Sequence, residues 1–274
     1  MTSSRSEASR RPSRRENRNA GRAVRTGCAL LPLLALAACG HGGADGTAHH
    51  AQGAEFRTAT LAQDARLVIT TQGGVRVVGT DAGHVAVDDS VLAHGDGDGD
   101  GRTYTLDLPC DEGDDRAREN CGGMPLVRVP TGVTLTVRAR NAGIDVSAVR
   151  GGLSLSTVNG DVTVQDSGAK SARQHLVTRN GSVRATGLKG RGVDAETVNG
   201  DVDLRCTTSP GTLDGVTRNG SVSVTLPADA PAYAADARTV NGRSTLTIPT
   251  AAPSDRTPRL TLRTVNGDAE ARRG

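Results

Sequence analysis

The sequence predicts an all-β fold, a β-solenoid built from stacked coils of about 20 residues. The hexapeptide TVNGDV at 157–162 returns at 197–202, and TRNGSV at 178–183 returns at 217–222. Six such units place Asn at positions 159, 180, 199, 219, 241 and 266, at intervals of 21, 19, 20, 22 and 25 residues. A period near 20 is typical of solenoid repeats, and from about residue 57 short β-type segments alternate with Gly and Asn turns.

Apolar residues around each Asn-Gly pair predict two strands joined by a corner. The residue four before each Asn is small or apolar, and those three and five after it are mostly Val, Leu or Ala. Side chains alternate between the two faces of a strand, so the odd spacing across the pair requires the pleat to break there. Asn and Gly tolerate the positive φ that such a break needs. We predict corners at Asn159-Gly160, Asn180-Gly181, Asn199-Gly200, Asn219-Gly220, Asn241-Gly242 and Asn266-Gly267.

The alternation of the two hexapeptides suggests how the coils stack. With coils of about 20 residues, equivalent positions lie about 4.8 Å apart. Arg179 then lies between two valines, and Ser182 separates Asp161 from Asp201, so like charges do not meet on adjacent coils. Stacked Asn side chains could add a hydrogen-bonded ladder. A 40-residue coil with two Asn-Gly corners is the alternative, although TVNG at both 239 and 264 breaks strict alternation and favours the shorter coil.

The N-terminus is typical of an export signal. Residues 1–27 hold eight Arg and two Glu, and the apolar run ALLPLLALAAC ends at Cys39. The run is too short to span a bilayer, which takes about 20 residues. The letters LAAC resemble a bacterial lipobox, so we predict a lipoprotein signal peptide at 1–38, lipid attachment at Cys39 and anchoring outside the cytoplasm on the cell membrane. Residues 39–56, rich in Gly, Ala and His, are predicted to form a flexible tether.

The charge balance argues against a nucleic-acid partner. The full chain has 33 basic and 30 acidic residues; without the leader the counts are 33 − 8 = 25 and 30 − 2 = 28. Nucleic-acid binding needs a basic face and aromatic platforms, and the chain has one Phe, two Tyr and no Trp.

The remaining cysteines have separate interpretations. Cys110 and Cys121 bracket a polar loop in the predicted N-terminal β region, 57–126, and we predict a disulfide between them rather than two free thiols. Cys206 falls seven residues after its Asn, in the solenoid repeats predicted for 127–274. Leu226 and Ile248 occupy that position in later coils, so we expect a buried, inert thiol.

One acidic segment has the spacing of a calcium loop. Asp96, Asp98, Asp100 and Gly101 form DxDxDG, and Asp107 takes the twelfth position. However, the last ligand of such a loop is normally Glu, and the flanking sequences here look like strands rather than helices. We therefore interpret the segment as an acidic hairpin loop, with a calcium site as the alternative, and predict no other metal or cofactor.

The repeats resemble the bacterial putative-adhesin family of β-strand-repeat proteins of unknown function. The resemblance covers roughly residues 60–274 and rests on the TxNG[DS]V units, the segment VRVPTGVTLTVRARNAGIDV at 127–146 and the closing repeats. It implies a right-handed parallel β-helix on envelope proteins, many of them lipoproteins, and brings no catalytic residues. Asn141-Ala142-Gly143 departs from the Asn-Gly pattern, so the first coil is expected to be irregular.

No catalytic constellation emerges from the sequence. Asp161 and Asp201 would lie about 10 Å apart, slightly beyond the separation used by inverting glycosidases. His84 and His175 look solitary. We predict a non-catalytic envelope lipoprotein that presents a solenoid surface to wall polymer or an envelope protein, for adhesion or scaffolding. A stress-sensing accessory acting through a protein partner is the alternative, and a polysaccharide-active β-helix enzyme is a remote one.

Overall fold

A computed structural model describes residues 60–62, 64–88, 91–98 and 102–274 of the chain. The predicted signal peptide at 1–38, Cys39 and the tether at 39–56 lie outside the described residues. So does Asp100 of the acidic loop.

Two ten-stranded sheets make up the fold, and they enclose the apolar core between their inner faces. Sheet 1 contains, in spatial order, β4 (His94–Gly97), β5 (Thr103–Leu108), β1 (Arg66–Thr71), β7 (Thr134–Arg138), β9 (Leu153–Ser156), β11 (Arg173–Val177), β13 (Gly192–Glu196), β15 (Thr212–Val216), β19 (Arg259–Arg263) and β17 (Ala234–Arg238). Sheet 2 contains β3 (Ala86–Val87), β6 (Leu126–Pro130), β2 (Val75–Thr80), β8 (Ile144–Ser147), β10 (Val162–Gln165), β12 (Val183–Leu188), β14 (Val202–Cys206), β16 (Val222–Leu226), β20 (Ala269–Arg273) and β18 (Ser244–Thr247).

Each coil gives one strand to sheet 1 and the next strand to sheet 2, and from the β9–β10 coil onward the turn between them is an Asn-Gly corner. Neighbouring coils pair in parallel and in register, so that Val162, Val183 and Val202 are partners across three strands. The corner asparagines form one continuous column of bridges. The predicted β-solenoid with coils of about 20 residues is therefore confirmed, because a 40-residue coil would place alternate asparagines on opposite edges.

The core consists mainly of small aliphatic side chains from alternate positions of the strands inside the stack, whereas β17 and β18 at its end have no buried residue. On sheet 2 the residue three after the corner Asn is buried in most coils, as predicted, at Val162, Val183, Val202, Val222 and Ala269. Cys206 is also buried, beside Leu188 of the preceding coil. A thin space between two sheets needs no aromatic filler, which explains how a chain with so few aromatic residues builds a close-packed interior.

The coils at both ends of the stack are out of sequence order. The β1–β2 coil lies between the β5–β6 coil and the β7–β8 coil. Likewise the β19–β20 coil, which ends the chain, lies between the β15–β16 and β17–β18 coils. Strands from both sides of the predicted 126/127 boundary thus share the same two sheets.

The N-terminal end of the stack carries the irregular elements. Strands β3 and β4 pair antiparallel with β6 and β5. The predicted disulfide between Cys110 and Cys121 is present, and it closes a segment that contains a helix, α1 (Asp115–Gly122). No helix was expected there, because its eight residues are too few and too polar to show a periodic apolar face. Asn120 is buried at its C-terminal end and donates to the carbonyls of Leu92 and Pro109, both at 2.9 Å.

The inward and outward positions after a corner should respond differently to substitution. Val202→Asp puts a carboxylate into the core and should lower the free energy of unfolding by more than about 3 kcal/mol. Asp201→Ala removes a single accepted hydrogen bond and should cost about 1 kcal/mol. Thermal and denaturant melts of both variants compare the two, and equal losses would contradict the face assignment.

Candidate functional site

The Asn-Gly corner, the strongest motif of the sequence, forms a hydrogen-bonded column along one edge of the solenoid. Each Asn side chain donates from Nδ2 to Oδ1 of the Asn on the adjacent coil, at 2.8 to 2.9 Å through most of the column. The donation from Asn159 to Asn141 is longer, 3.4 Å, where the Asn-Ala-Gly sequence makes the first corner irregular. In spatial order the column contains Asn141, Asn159, Asn180, Asn199, Asn219, Asn266 and Asn241.

Thr and Gly of each TxNG unit are fixed by the neighbouring coil as well. The Thr hydroxyl donates to the carbonyl oxygen of the corner Gly on the adjacent coil, for example Thr197 to Gly181 at 2.7 Å. The corner glycines have φ between 144° and 158°. A Cβ on Gly200 would overlap the carbonyl oxygen of Gly181, so the stacking distance itself excludes any larger residue.

The residue after the Gly explains why the two hexapeptides alternate. Asp161 Oδ1 accepts the backbone N–H of Ser182 at 2.8 Å, and the Ser182 hydroxyl accepts the N–H of Asp201 at 3.2 Å. The same relay continues along the column to Ser221, Asp268 and Arg243. Asp and Ser both supply the needed acceptor, and alternating them keeps carboxylates two coils apart. The displaced last coil restores the alternation that the linear sequence breaks, because Asp268 follows Ser221 in space.

These contacts assign the corner a structural role. The Oδ1 atoms of Asp161 and Asp201 each accept a backbone N–H, and Asp161 also accepts from Arg184 at 2.7 Å. Paired acid catalysis needs carboxylates free to exchange protons with a substrate, so this geometry gives the polysaccharide-hydrolase alternative no support.

An open groove of about 450 Å³ lies on the outer face of sheet 1. Gly192 lacks a side chain and leaves the depression, which is flanked by Arg173, His175, Asp194 and Asp214. His175 Nδ1 lies 2.7 Å from Asp194 Oδ2, and both side chains are about half exposed. The expectation of a solitary His175 was therefore wrong. Both residues stand five positions before a corner Asn, so the repeat register could have revealed the pair.

The groove is suited to binding rather than to acyl transfer. Ser154, His175 and Asp194 are register partners on three successive strands, an order reminiscent of a hydrolase triad that sequence inspection missed. An acyl-transfer site also needs backbone N–H groups free to hold an oxyanion. The strands here lie inside sheet 1 with a paired neighbour on each side, so their N–H groups are engaged. The exposed Arg, His and Asp side chains around the groove instead provide hydrogen-bond donors and acceptors for a polar ligand.

The described residues on both sides of the acidic segment lie at or on two antiparallel strands, β4 and β5. Asp98 exchanges two hydrogen bonds with Thr103, donating its N–H at 3.0 Å and accepting through Oδ1 at 2.7 Å. Asp96 pairs with Thr105 and Asp107 with His94, on strands instead of the helices that flank calcium loops. Within the described ranges, no three His, Cys, Asp or Glu residues are grouped to hold a metal ion. Asp100 lies outside those ranges, so the calcium alternative stays a prediction.

The thiol and the phenol of the solenoid core are both held neutral. Burial raises the pKa of Cys206 to about 12. Burial also raises the pKa of Tyr233 to about 12, and its hydroxyl donates to the carbonyl of Pro210 at 2.8 Å. Neither group is placed to act as a nucleophile at neutral pH.

Comparison with known proteins identifies the family. A family model described as Toastrack DUF4097 matches residues 83–271, well over half of the chain. The chain belongs to the Toastrack DUF4097 family. The resemblance inferred from the TxNG units is thereby confirmed, and the matched range includes all six Asn-Gly corners.

The other comparisons add little to this Toastrack assignment. Among solved structures, the chain is similar to a "putative cell adhesion protein" from Clostridium sporogenes, at 9% identity and a TM-score of 0.39, over 78% of this chain and 94% of that one. At this level of similarity, no property of that protein can be assigned to this chain. A search of curated proteins found no significant match. Across the described residues, no helix is long and apolar enough to cross a bilayer.

Stacking at the corner can be tested with two glycines. Gly200→Ala should lower the free energy of unfolding by more than about 2 kcal/mol, because its Cβ meets the adjacent coil and its φ of 146° is strained for Ala. Gly211→Ala is the matched control, since its Cβ would lie 3.4 Å from the nearest atom, the Arg191 carbonyl oxygen, and its backbone is unstrained. Denaturant melts should separate the two variants, and a neutral Gly200→Ala would refute close stacking.

Cys206 should react with iodoacetamide only after unfolding. Its pKa is raised from 9.0 to about 12, so above pH 9 the unfolded chain releases a proton that the folded chain keeps. Stability should therefore fall as pH rises from about 9 toward 12. In the Cys206→Val variant this loss of stability should begin only at about pH 10, where the unfolded chain starts to release the Tyr233 proton that the folded chain keeps. Melts across this range provide the measurement, and alkylation of Cys206 itself in the native state would contradict the buried assignment.

Proposed function

We propose that this Toastrack protein is a non-catalytic cell-envelope lipoprotein, anchored by lipid at Cys39, whose solenoid surface serves adhesion or scaffolding. The basic leader and the LAAC sequence support export and anchoring. The Cys110–Cys121 disulfide supports an oxidising compartment outside the cytoplasm.

The polar groove of sheet 1 is the observation that carries the binding role. Its side chains extend from strands held on both sides, so the ligand-facing groups are placed on a rigid frame. Arg, His and Asp side chains around a glycine floor suit a hydrated polar partner, such as a wall polymer or a polar protein surface. The engaged backbone N–H groups favour binding without chemistry.

A second candidate function, sensing through a protein partner, is favoured by the C-terminal end of the stack. Strands β17 and β18 are the outermost strands of their sheets. Val240 at this end is 73% exposed, against 39% for the equivalent Val158 inside the stack. A strand of another envelope protein could pair with these edges, as in β-augmentation. Crosslinking from residue 240 in intact cells would identify such a partner, and the absence of any crosslinked protein would exclude this candidate.

The anchoring proposal can be tested in the bacterial host. Cys39→Ala should abolish incorporation of a labelled fatty acid and release the protein from the membrane fraction. A variant that keeps both the label and the membrane location would overturn the anchoring proposal.

The binding role predicts a face-specific loss. The double change His175→Ala with Asp194→Ala should lower retention of the exported chain on insoluble cell-wall material by about fivefold or more. Asp203→Ala with Arg205→Ala is the matched control, because this ion pair, 3.5 Å apart, occupies the outer face of sheet 2. Equal retention of both variants, measured by co-sedimentation, would contradict a role for the groove.

A further inference from the structure

A strip of basic residues lies along the edge opposite the Asn-Gly corners. We call this the loop edge; it consists of the connections from sheet 2 back to sheet 1 at 148–152, 166–172, 189–191 and 207–211. Three successive coils place four cations there: Arg150, Lys170, Lys189 and Arg191. Successive coils stack about 4.8 Å apart, so the positive charges follow the solenoid axis at close, regular intervals.

These four cations are free to meet an external anion. All are exposed, and none forms a salt bridge with another residue in the described part of the chain. On the outer face of sheet 2, by contrast, Arg76, Arg184 and Arg205 each pair with an Asp. Asp166 is the one acidic residue of these connections and is also exposed, so the loop edge carries a net charge of 4 − 1 = +3.

The backbone of the loop edge is held firmly. Lys189 donates its N–H to the Ser167 carbonyl at 3.0 Å, and Arg191 donates to Ala172 at 2.7 Å. The buried Gln174 side chain joins two connections, because its Nε2 donates to the Lys189 carbonyl and its Oε1 accepts the N–H of Leu153, both at 2.9 Å. The cations are consequently mounted on ordered loops, which lowers the entropy cost of binding.

A groove of about 320 Å³ opens along this edge between the coils. Lys170 and Arg191 lie on its walls, together with the hydroxyl-bearing residues Thr207, Thr208 and Ser209. The Thr207 hydroxyl already donates to the carbonyls of Gly187 and Leu188, both at 3.4 Å, whereas the Thr208 oxygen accepts the Gly190 N–H at 3.4 Å and keeps its own O–H to donate. Two cations beside this hydroxyl form a suitable site for phosphate oxygens, which accept charge-assisted hydrogen bonds. Asp229 also lines the groove and limits the basic strip there.

The strip fits a thin anionic chain better than a membrane surface. Asp194 and Asp214 lie beside it on the outer face of sheet 1, two residues into their strands. A planar anionic bilayer would approach these carboxylates together with the cations and be repelled, whereas a single polymer chain can follow the cations alone. Bases of a nucleic acid would find no aromatic platform here, because the nearby Tyr233 is buried.

We propose that the loop edge binds a phosphate-bearing envelope polymer, held by Arg150, Lys170, Lys189 and Arg191 and by the Thr208 hydroxyl of the groove. This proposal rests on the envelope location proposed above and names one class of wall partner and its site. It is independent of the groove on sheet 1.

The binding test uses the exported chain with Cys39→Ser and long-chain inorganic polyphosphate as the probe. Lys170→Glu with Arg191→Glu should weaken binding at least tenfold at low salt. Arg179→Glu with Arg218→Glu makes the same charge change on the corner edge, where both residues are exposed, and should change affinity less than about twofold. The affinity of the unmodified loop edge should fall steeply with salt. An equal loss in both double variants, or no loss in the first, would overturn the proposal.

Two further measurements keep the outcome interpretable. Thermal melts check that each variant is folded. If the Glu double variant unfolds, Lys170→Gln with Arg191→Gln should still weaken polyphosphate binding about threefold or more. An unchanged affinity of the Gln double variant would overturn the proposal. Phosphatidylglycerol vesicles should not bind the non-lipidated chain. If they do bind, and if Lys170→Glu with Arg191→Glu abolishes that binding, the loop edge recognises a lipid surface and the polymer proposal is overturned. Failure here leaves the fatty-acid labelling test of the proposed function untouched.

Discussion

The in-register stacking of the Asn-Gly corner is the interaction on which the rest of this structure depends. A typical TxNG corner contributes an Asn amide, a Thr hydroxyl and an Asp or Ser oxygen, and all three bond to the adjacent coil. A net contribution of about 0.5 to 1.5 kcal/mol for each such bond, repeated along the stack, holds the register of both sheets. Only Gly allows the coils to approach this closely.

Register at the corner determines what both sheets can bury. Because the pleat breaks at Asn-Gly, the strands on either side can each turn Val, Leu or Ala inward. The coils therefore share one narrow aliphatic core, and stability is spread along the stack as interfaces between neighbouring coils. An error of one residue in any coil would expose its apolar positions.

Because the corner and the core are fully occupied with folding, recognition is left to the remaining surfaces. The outer face of sheet 1 carries a polar groove with the His175–Asp194 pair, while the loop edge carries unpaired cations. Both surfaces extend from backbone that is bonded to neighbouring coils. A rigid frame of this kind favours binding through many modest polar contacts rather than through one deep catalytic pocket.

The linear sequence determined the coil length, the corners, the inward positions and the Cys110–Cys121 pair, because each depends on contacts that repeat at a fixed spacing or on a local loop. Only the tertiary structure decided that the last coil inserts between the β15–β16 and β17–β18 coils. This order depends on which strands pair best with the edge of the β15–β16 coil, and the repeat period does not specify it. Helix α1 escaped prediction because it is short and held within the disulfide-closed segment. The pairing of His175 with Asp194 follows from the repeat register, because both lie five positions before a corner Asn, whereas the basic loop edge joins connections outside the repeated unit and was visible only in the structure. Sequence periodicity thus specified each coil, and packing between coils specified the surfaces available to a partner.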